Sequence, residues 1–313
     1  MSNTEFTPAN CTKLARRLES ALGKLESLGV RIPLQGRLAR AVGRLEGLRG
    51  KKEFPSDREE LRVLSYAIID AVEVSQIAEC LAESAGGTII PELQKLMGGS
   101  EGRVGEGASA YQYQSQYLVG AMFAYAGIRP LVPSSRVDGR RLPDFLLPNG
   151  NSYVGVEVKR PSSRSAAKRL VRSAAGQIRY TKDTGCGVVV DLTDSLLEEP
   201  VLFGTSGSEV PLLQRAFLEI AGDLEQSVMS DRRFAQGFPD RGMFLGARAR
   251  FPVWDLEDLT SLRIQQQVKG AVFYRVKGCL PHLRSEWAMK SLYAGMREAG
   301  LDVVEYKEWL DQH

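Results

Sequence analysis

Histidine is the scarcest chemically active residue of the chain, with only His282 and His313 among 313 residues. So few imidazoles argue against a Ser-His or Cys-His nucleophilic site. The 4 cysteines are scattered and show no C-x-x-C spacing, which argues against a zinc site and against a disulfide framework. Cysteines without a pairing pattern are typical of a reducing compartment, and we therefore expect a cytoplasmic protein.

Long apolar runs are also missing. No stretch of about 18 consecutive apolar residues occurs, so no membrane span is predicted, and the N-terminus lacks the apolar segment of a signal peptide. The composition is otherwise ordinary for a globular chain, with 43% hydrophobic and 25% charged residues. The net charge of +3 is too small to identify a partner by itself, so the local distribution of charge carries more information.

The first part of the chain, residues 1–100, is predicted to be a helical domain. Leucines recur at helical spacing in "LARRLESALGKLESLG" and again in "RLARAVGRLEGLRG". The two segments share many identical positions and predict a helical hairpin. Gly23 and Gly43 occupy matching positions, and we expect them to let the two backbones approach closely, because glycine has no side chain.

A third helix is predicted to begin at Ser56, because Ser56-Asp57-Arg58-Glu59 fits a capping box. It is predicted to end at the Gly86-Gly87 pair, a typical C-terminal signal. The leucine-rich hairpin is a candidate surface for a protein partner or for a second copy of the chain.

The segment "GGSEGRVGEGAS" is rich in glycine, serine and glutamate and predicts a linker. Beyond it we predict a second domain, residues 108–313, in which helices and strands alternate. The predicted order over residues 110–193 is helix, three strands, helix, strand. This order indicates an α/β fold with a mixed sheet flanked by helices.

The second and third of those strands flank the hairpin signal "NGN" and carry unusual charges. Glu157 and Lys159 lie two positions apart on the third strand and therefore face the same way. Asp144 begins the other arm of the hairpin and is expected to approach Glu157, near the backbone carbonyl of Val158. Two carboxylates and a carbonyl form a hard oxygen site suited to Mg²⁺, where a cation would activate water and polarise a phosphate.

The Pro-Asp step at 143–144, followed after the turn by "VEVK" at 156–159, resembles the PD-(D/E)xK nuclease superfamily. The resemblance implies a restriction-endonuclease-like fold with an αβββαβ core, preceded here by the helical domain. It implies that Asp144 and Glu157 are metal ligands, for Mg²⁺ or alternatively Mn²⁺, and that Lys159 is the catalytic lysine. The implied activity is hydrolysis of phosphodiester bonds, in DNA rather than RNA, with a role in bacterial defence or restriction.

The resemblance extends to the neighbouring helices. Many members present a glutamine, often followed by a tyrosine, on the helix after the lysine strand, and Gln177 and Tyr180 match it in "AAGQIRYTKD". The Q-x-x-Y spacing is shorter than that of the exonuclease branch. Many members also carry a glutamate on the helix before the first strand, where this chain has Gln114 and Gln116. An amide contributes no charge, so metal affinity or stoichiometry is expected to differ.

Basic residues run from Lys159 to Lys182 without an acidic residue among them. A solvated helix face usually mixes both signs, so this stretch is predicted to contact the phosphates of a nucleic acid without reading its sequence. The candidate contacts are Arg160, Arg164, Lys168, Arg169, Arg172, Arg179, Tyr180 and Lys182.

Three alternatives compete with the nuclease interpretation. Glu157 and Lys159 could form the solvated face of an edge strand, where charges protect against aggregation. The chain could be a nucleic-acid-binding module that keeps the fold without catalysis. It could also be an interaction scaffold that acts through the helical hairpin.

Overall fold

The computed structural model describes residues 4–81, 90–98, 108–133, 136–137, 140–178, 185–196, 202–204, 209–230, 242–274, 278, 280–299 and 305–310. The helices in these ranges are α1 Pro8–Ser27, α2 Arg37–Glu46, α3 Arg58–Leu81, α4 Ile90–Leu96, α5 Ala108–Tyr125, α6 Arg164–Ile178, α7 Thr193–Leu196, α8 Glu209–Ser230 and α9 Leu280–Glu298. The strands are β1 Thr4–Phe6, β2 Arg136–Val137, β3 Arg140–Arg141, β4 Phe145–Asn149, β5 Ser152–Lys159, β6 Cys186–Asp191, β7 Leu202–Gly204, β8 Met243–Asp255, β9 Leu262–Tyr274 and β10 Glu305–Leu310.

Eight of these strands form one mixed sheet in the order β1-β9-β8-β6-β5-β4, with β7 added beside β8 and β10 beside β9. Strands β5, β6 and β8 are parallel, whereas β4 and β9 run antiparallel to their neighbours β5 and β8. Strands β2 and β3 form a separate two-stranded sheet. The predicted α/β class with a mixed sheet flanked by helices is confirmed.

Helices cover both faces of the sheet, and successive residues of β6 pack alternately against the helices on one face and on the other. Val189 packs in a core with α1, α3, α5 and α9, whereas its neighbours Val188 and Val190 pack with α6 and α8. Because successive strand residues point to opposite faces, a strand covered by helices on both faces is mostly apolar along its whole length. The near-continuous burial of β6 and β8 follows from this three-layer arrangement.

The helices of residues 4–98 share their core with the sheet. Strand β1 pairs antiparallel with β9, and Trp254 of β8 donates from Nε1 to Ser65 Oγ of α3 at 2.7 Å. The Trp254 ring also meets Phe54 edge to face, with ring centroids 4.8 Å apart. One hydrophobic cluster therefore runs from α1 to α9. Most of the predicted linker lies outside the described residues, so the predicted division into two domains stays a prediction.

The N-terminal helices differ from expectation in two details. A Cβ added at Gly23 or Gly43 would find no heavy atom within 4 Å, so the predicted close approach of the backbones there is wrong. Helix α3 begins one position later than a Ser56 cap implies, and Asp57 Oδ1 accepts a hydrogen bond from the Glu60 N–H at 2.9 Å. Asp57 is thus the capping residue, since its side chain reaches the third helical N–H. The predicted end at Gly86-Gly87 lies outside the described residues.

The first of the three predicted strands, "IRPLVP", is reduced to a single bridge between Leu131 and Leu146 of β4. The Leu131 N–H donates to Leu146 O at 2.9 Å, and the Leu146 N–H donates back at 2.8 Å. Pro130 and Pro133 flank the bridge and have no N–H to donate, which prevents a longer ladder. Among the described residues, no helix is both long and apolar enough to span a bilayer.

Candidate active site

The predicted hairpin is present and sets the register of the site. Strands β4 and β5 pair antiparallel from Asn149 opposite Ser152 to Phe145 opposite Val156. Gly150 in the turn has a φ of 58°, a left-handed conformation that glycine adopts without strain. The same register, continued by one position, puts Asp144 opposite Glu157.

Asp144, Glu157 and Lys159 lie close together where β4 begins. The backbone N–H of Val158 donates to Asp144 Oδ2 at 2.8 Å, and the N–H of Asp144 donates to Glu157 Oε2 at 3.2 Å. Lys159 Nζ forms an ion pair with Glu157 Oε1. The three residues are thus neighbours, linked through the backbone N–H groups of Asp144 and Val158 and through the Glu157–Lys159 ion pair, and the predicted metal site at this place stays a prediction.

The cluster lies on the inner part of the sheet, on the face that α6 covers. Val154, Val156 and Val158 pack in the core with α5 and α9, so the alternating positions Glu157 and Lys159 face the other layer. Glu157 is 0% exposed and Lys159 only 8% exposed. Strand β5 also has β4 on one side and β6 on the other. The alternative of a solvated edge strand is therefore wrong.

Gln112 of α5 contacts the same strand from the opposite side. Its Nε2 donates to the Val158 carbonyl at 3.0 Å, and its Oε1 accepts from the Arg160 N–H at 2.8 Å. The side-chain amide thereby satisfies backbone groups of β5 beyond the end of its ladder with β4. Gln114, one of the two glutamines considered from the sequence, instead donates to Glu73 Oε2 at 2.6 Å in a buried network.

The distinction between these glutamines follows from helix geometry. Residues two apart on a helix point about 200° apart, so alternate glutamines of "YQYQSQ" cannot all face β5. Gln112 and Gln116 lie four positions apart and share one side of α5, whereas Gln114 points away from that side. Of the two, Gln112 hydrogen-bonds β5, and Gln116 is buried one turn further along the helix.

The donors of the cluster fit a hard divalent cation. Asp144, Glu157 and the Val158 carbonyl offer oxygen atoms, and Mg²⁺ typically uses one or two carboxylates and keeps several waters. In the described part of the chain, no group of three or more His, Cys, Asp and Glu side chains is placed to hold a metal ion. A cation at this cluster would thus rely on the carbonyl and on water for its further ligands.

Arg160, a predicted phosphate contact, is held inside the protein. Its guanidinium binds both carboxylate oxygens of Asp194, at 2.9 and 3.0 Å, and donates to Ser115 Oγ at 3.2 Å. It also lies over the Tyr111 ring, 5.1 Å from the centroid. Burial alone would lower the pKa of Arg160, but Asp194 and Asp191 together raise the pKa above its ordinary value. The charge of Arg160 is therefore matched by internal carboxylates.

Helix α6 carries the remaining predicted contacts that the structure describes. Arg164 pairs with Asp223 of α8 at 2.9 Å, and Lys168 lies 3.6 Å from the same carboxylate. Acidic partners absent from the local sequence thus come from another helix. Arg169 and Arg172 are exposed. The side chain of Gln177 lies outside the described residues, as do Arg179, Tyr180 and Lys182.

A second charged cluster was missed by the sequence reasoning. Glu73 of α3 accepts from Arg248 at 3.1 Å and from Arg250 at 2.9 Å, and Arg248 also contacts Asp191 at 3.0 Å. Ser115 of α5 donates to Asp191 Oδ2 at 2.6 Å. This cluster joins helices α3 and α5 to strands β6 and β8, on the face of the sheet opposite Glu157. In the sequence, the two arginines two positions apart in the apolar segment "GARARFPVW" could have indicated this buried charged cluster.

Arginine charges control the pKa values of these buried acids. Burial would raise the pKa of Asp191, but Arg248 and Arg160 hold it well below its ordinary range. Burial would likewise raise the pKa of Glu73, and Arg250 and Arg248 outweigh that effect, so its pKa is lowered. Both carboxylates are therefore ionised in the folded protein at neutral pH.

Comparison of the chain with family models, with curated proteins and with solved structures found no match.

Proposed function

We propose that the chain is a divalent-metal-dependent nuclease that hydrolyses phosphodiester bonds, with DNA as the expected polymer. The observation that supports the proposal is the convergence of Asp144, Glu157 and Lys159 at the end of the β4–β5 hairpin. Apart from the separate β2–β3 pair, the order α5–β4–β5–α6–β6 around them is compatible with the resemblance to PD-(D/E)xK nucleases, although the first of the three predicted strands is reduced here to one bridge.

Each residue of the cluster has a distinct role in this proposal. Asp144, Glu157 and the Val158 carbonyl would hold the cation, which supplies charge neutralisation at a phosphate and activation of water. Lys159 would orient the attacking water and offset negative charge on the phosphate. Gln112 keeps the Val158 carbonyl oriented through its amide. On α6, the exposed Arg169 and Arg172 are the described candidates for contacts to flanking phosphates.

Cleavage of supercoiled and linear DNA in the presence of Mg²⁺ or Mn²⁺ tests the proposal. We expect Lys159→Ala to lower the cleavage rate by at least about 100-fold, because a group acting on the attacking water and the transferred charge contributes on that order. Lys290→Ala is the matched control, since Lys290 is an exposed lysine that pairs with Glu286 on α9. Undiminished cutting by the Lys159 variant, or no cutting by the wild type, would contradict the assignment.

A second candidate is a nucleic-acid-binding module without catalysis, and the burial of Glu157 favours it. Both carboxylate oxygens of Glu157 already accept hydrogen bonds, from Lys159 and from the Asp144 N–H. Such a module needs no metal, so calorimetric titration with Mg²⁺ would give no heat of binding. It would still bind DNA with a steep salt dependence, because phosphate contacts release counterions.

A further inference from the structure

The cation that accompanies Glu157 in the structure is Lys159. Glu157 lies in the sheet interior with no exposed surface, and burying an ionised carboxylate without compensation is strongly unfavourable. Lys159 Nζ supplies the compensating charge at Oε1, and Oε2 accepts a hydrogen bond from the uncharged backbone N–H of Asp144. The ammonium thus occupies one of the oxygens that a divalent cation would need.

A divalent cation and the ammonium compete for the negative charge of the same two carboxylates. Asp144 and Glu157 together carry two negative charges, whereas the cation and Lys159 would bring three positive charges into a space with little solvent. Repulsion between like charges is strong where water is excluded, because the effective dielectric constant is low. This repulsion favours departure of the ammonium from Glu157 when a divalent cation binds.

We infer that Lys159 is the resident counter-cation of the Asp144–Glu157 pair, and that a divalent cation binds by displacing it. The inference rests on the proposed metal site. It gives the lysine two states: an ion pair with Glu157 in the absence of metal, and release toward a bound phosphate in its presence. The displacement couples the availability of the ammonium to metal binding, so that the metal-free protein keeps its lysine away from substrate.

Metal affinity measured by calorimetry tests the inference without reference to cleavage. We expect Lys159→Gln to bind Mg²⁺ and Mn²⁺ more tightly than the wild type, by about tenfold or more, because the competing charge-assisted hydrogen bond is gone. Lys159→Arg keeps a cation and should bind at or below wild-type affinity. Unchanged or weaker binding by the Lys159→Gln variant would overturn the inference.

Lys269 provides a matched control elsewhere in the sheet. Its Nζ pairs with Glu225 Oε1 at 3.2 Å, and both side chains are largely buried. Lys269→Gln therefore also removes an ammonium from a buried glutamate, but without changing the Asp144–Glu157 pair. Its affinity for divalent cations is expected to equal that of the wild type. Tightening as large as that of the Lys159 variant would refute a site-specific displacement.

A measurement on the wild type covers the case in which Lys159→Gln does not fold. The ¹H–¹⁵N signal of the Lys159 ammonium is expected to be observable in the metal-free protein, since the ion pair shelters it from exchange with solvent. Saturation with Mg²⁺ should shift or broaden that signal. A signal unchanged at saturation would mean that the ammonium stays on Glu157, and the displacement would be excluded.

The outcomes separate this inference from the nuclease proposal. Cleavage by the wild type without tighter binding by the Lys159→Gln variant would remove the displacement and keep the nuclease. Tighter binding without any cleavage by the wild type would keep the displacement and remove the nuclease. Absence of Mg²⁺ and Mn²⁺ binding to the wild type and to the Lys159→Gln variant would remove both.

Discussion

Substitution of Arg160 tests whether this arginine stabilises the fold or binds nucleic acid, because its contacts in the structure predict the first role and its basic sequence neighbours predict the second. As part of a basic stretch it would contact phosphate, and its loss would weaken nucleic-acid binding. In the structure its guanidinium forms two hydrogen bonds with Asp194, a further bond with Ser115 and a stacking contact with Tyr111. Only 8% of its side chain is exposed, so the charge is largely removed from water.

The expected cost of Arg160→Ala is about 3 kcal/mol in the free energy of unfolding. Breaking a fully buried ion pair costs about 3–5 kcal/mol, because the remaining partner is left without compensation. Asp194 is 18% exposed, and water can partly replace the lost guanidinium, which places the estimate at the lower end. Arg169→Ala is the matched control: an exposed arginine on α6, whose removal should change stability by less than about 0.5 kcal/mol.

Urea denaturation and DNA binding at several salt concentrations measure the two effects separately. Arg160→Ala should lower the urea midpoint and leave the salt slope of DNA binding unchanged. Arg169→Ala should leave the midpoint unchanged and reduce the slope by about 1, as expected for one lost phosphate contact. A stable Arg160→Ala variant with a reduced slope would refute the internal role assigned to this arginine.

Three further substitutions are expected to change the stability of the protein. Gly23→Ala is expected to raise the free energy of unfolding by about 0.5–1 kcal/mol, because Gly23 lies within α1 and an added Cβ meets nothing within 4 Å. Gly295→Ala in α9 should lower the free energy of unfolding by several kcal/mol or prevent folding, since the added Cβ would lie 1.6 Å from Met122 O. Equal thermal midpoints for the two variants would contradict the open space at Gly23 and the close packing at Gly295. Folding lowers the pKa of Asp191 below its value of about 3.9 in the unfolded chain. The ionised carboxylate therefore stabilises the folded state at a pH above about 3.9, and this stabilisation is lost as the pH falls below that value toward the pKa of the folded state. Asp191→Asn should therefore be less stable at pH 7 but show a shallower loss of stability between about pH 5 and pH 2, and an unchanged acid profile would refute the linkage.

Local chemistry was enough to predict the hairpin and its charged residues. The "NGN" turn and the alternation of apolar residues determine which residues of β4 and β5 oppose each other. Once that register is set, Asp144 must lie beside Glu157, and Lys159 must share its face. The apolar run of β6 likewise predicts a central strand, because a strand covered by helices on both faces is mostly apolar.

The surroundings of that hairpin depend on contacts between residues far apart in the chain. Gln112 reaches Val158 only because α5 packs on β5 with a particular rotation, and helical spacing alone leaves that rotation undetermined. In the sequence Arg160 cannot be distinguished from its basic neighbours, whereas in the structure it contacts Asp194 and Tyr111. The partners of a buried charge lie wherever the layers meet, so local sequence does not reveal them.

The α/β class, the hairpin and the proximity of Asp144, Glu157 and Lys159 could thus be predicted from the amino-acid sequence, because they follow from turn chemistry and strand periodicity. The burial of the Glu157–Lys159 pair, and the core that the N-terminal helices share with the sheet, became apparent from the three-dimensional structure. It alone also decided that the arginines at 160, 248 and 250 bind internal carboxylates. The physical reason is that burial and charge pairing depend on how separate layers pack, and packing is a property of the whole chain.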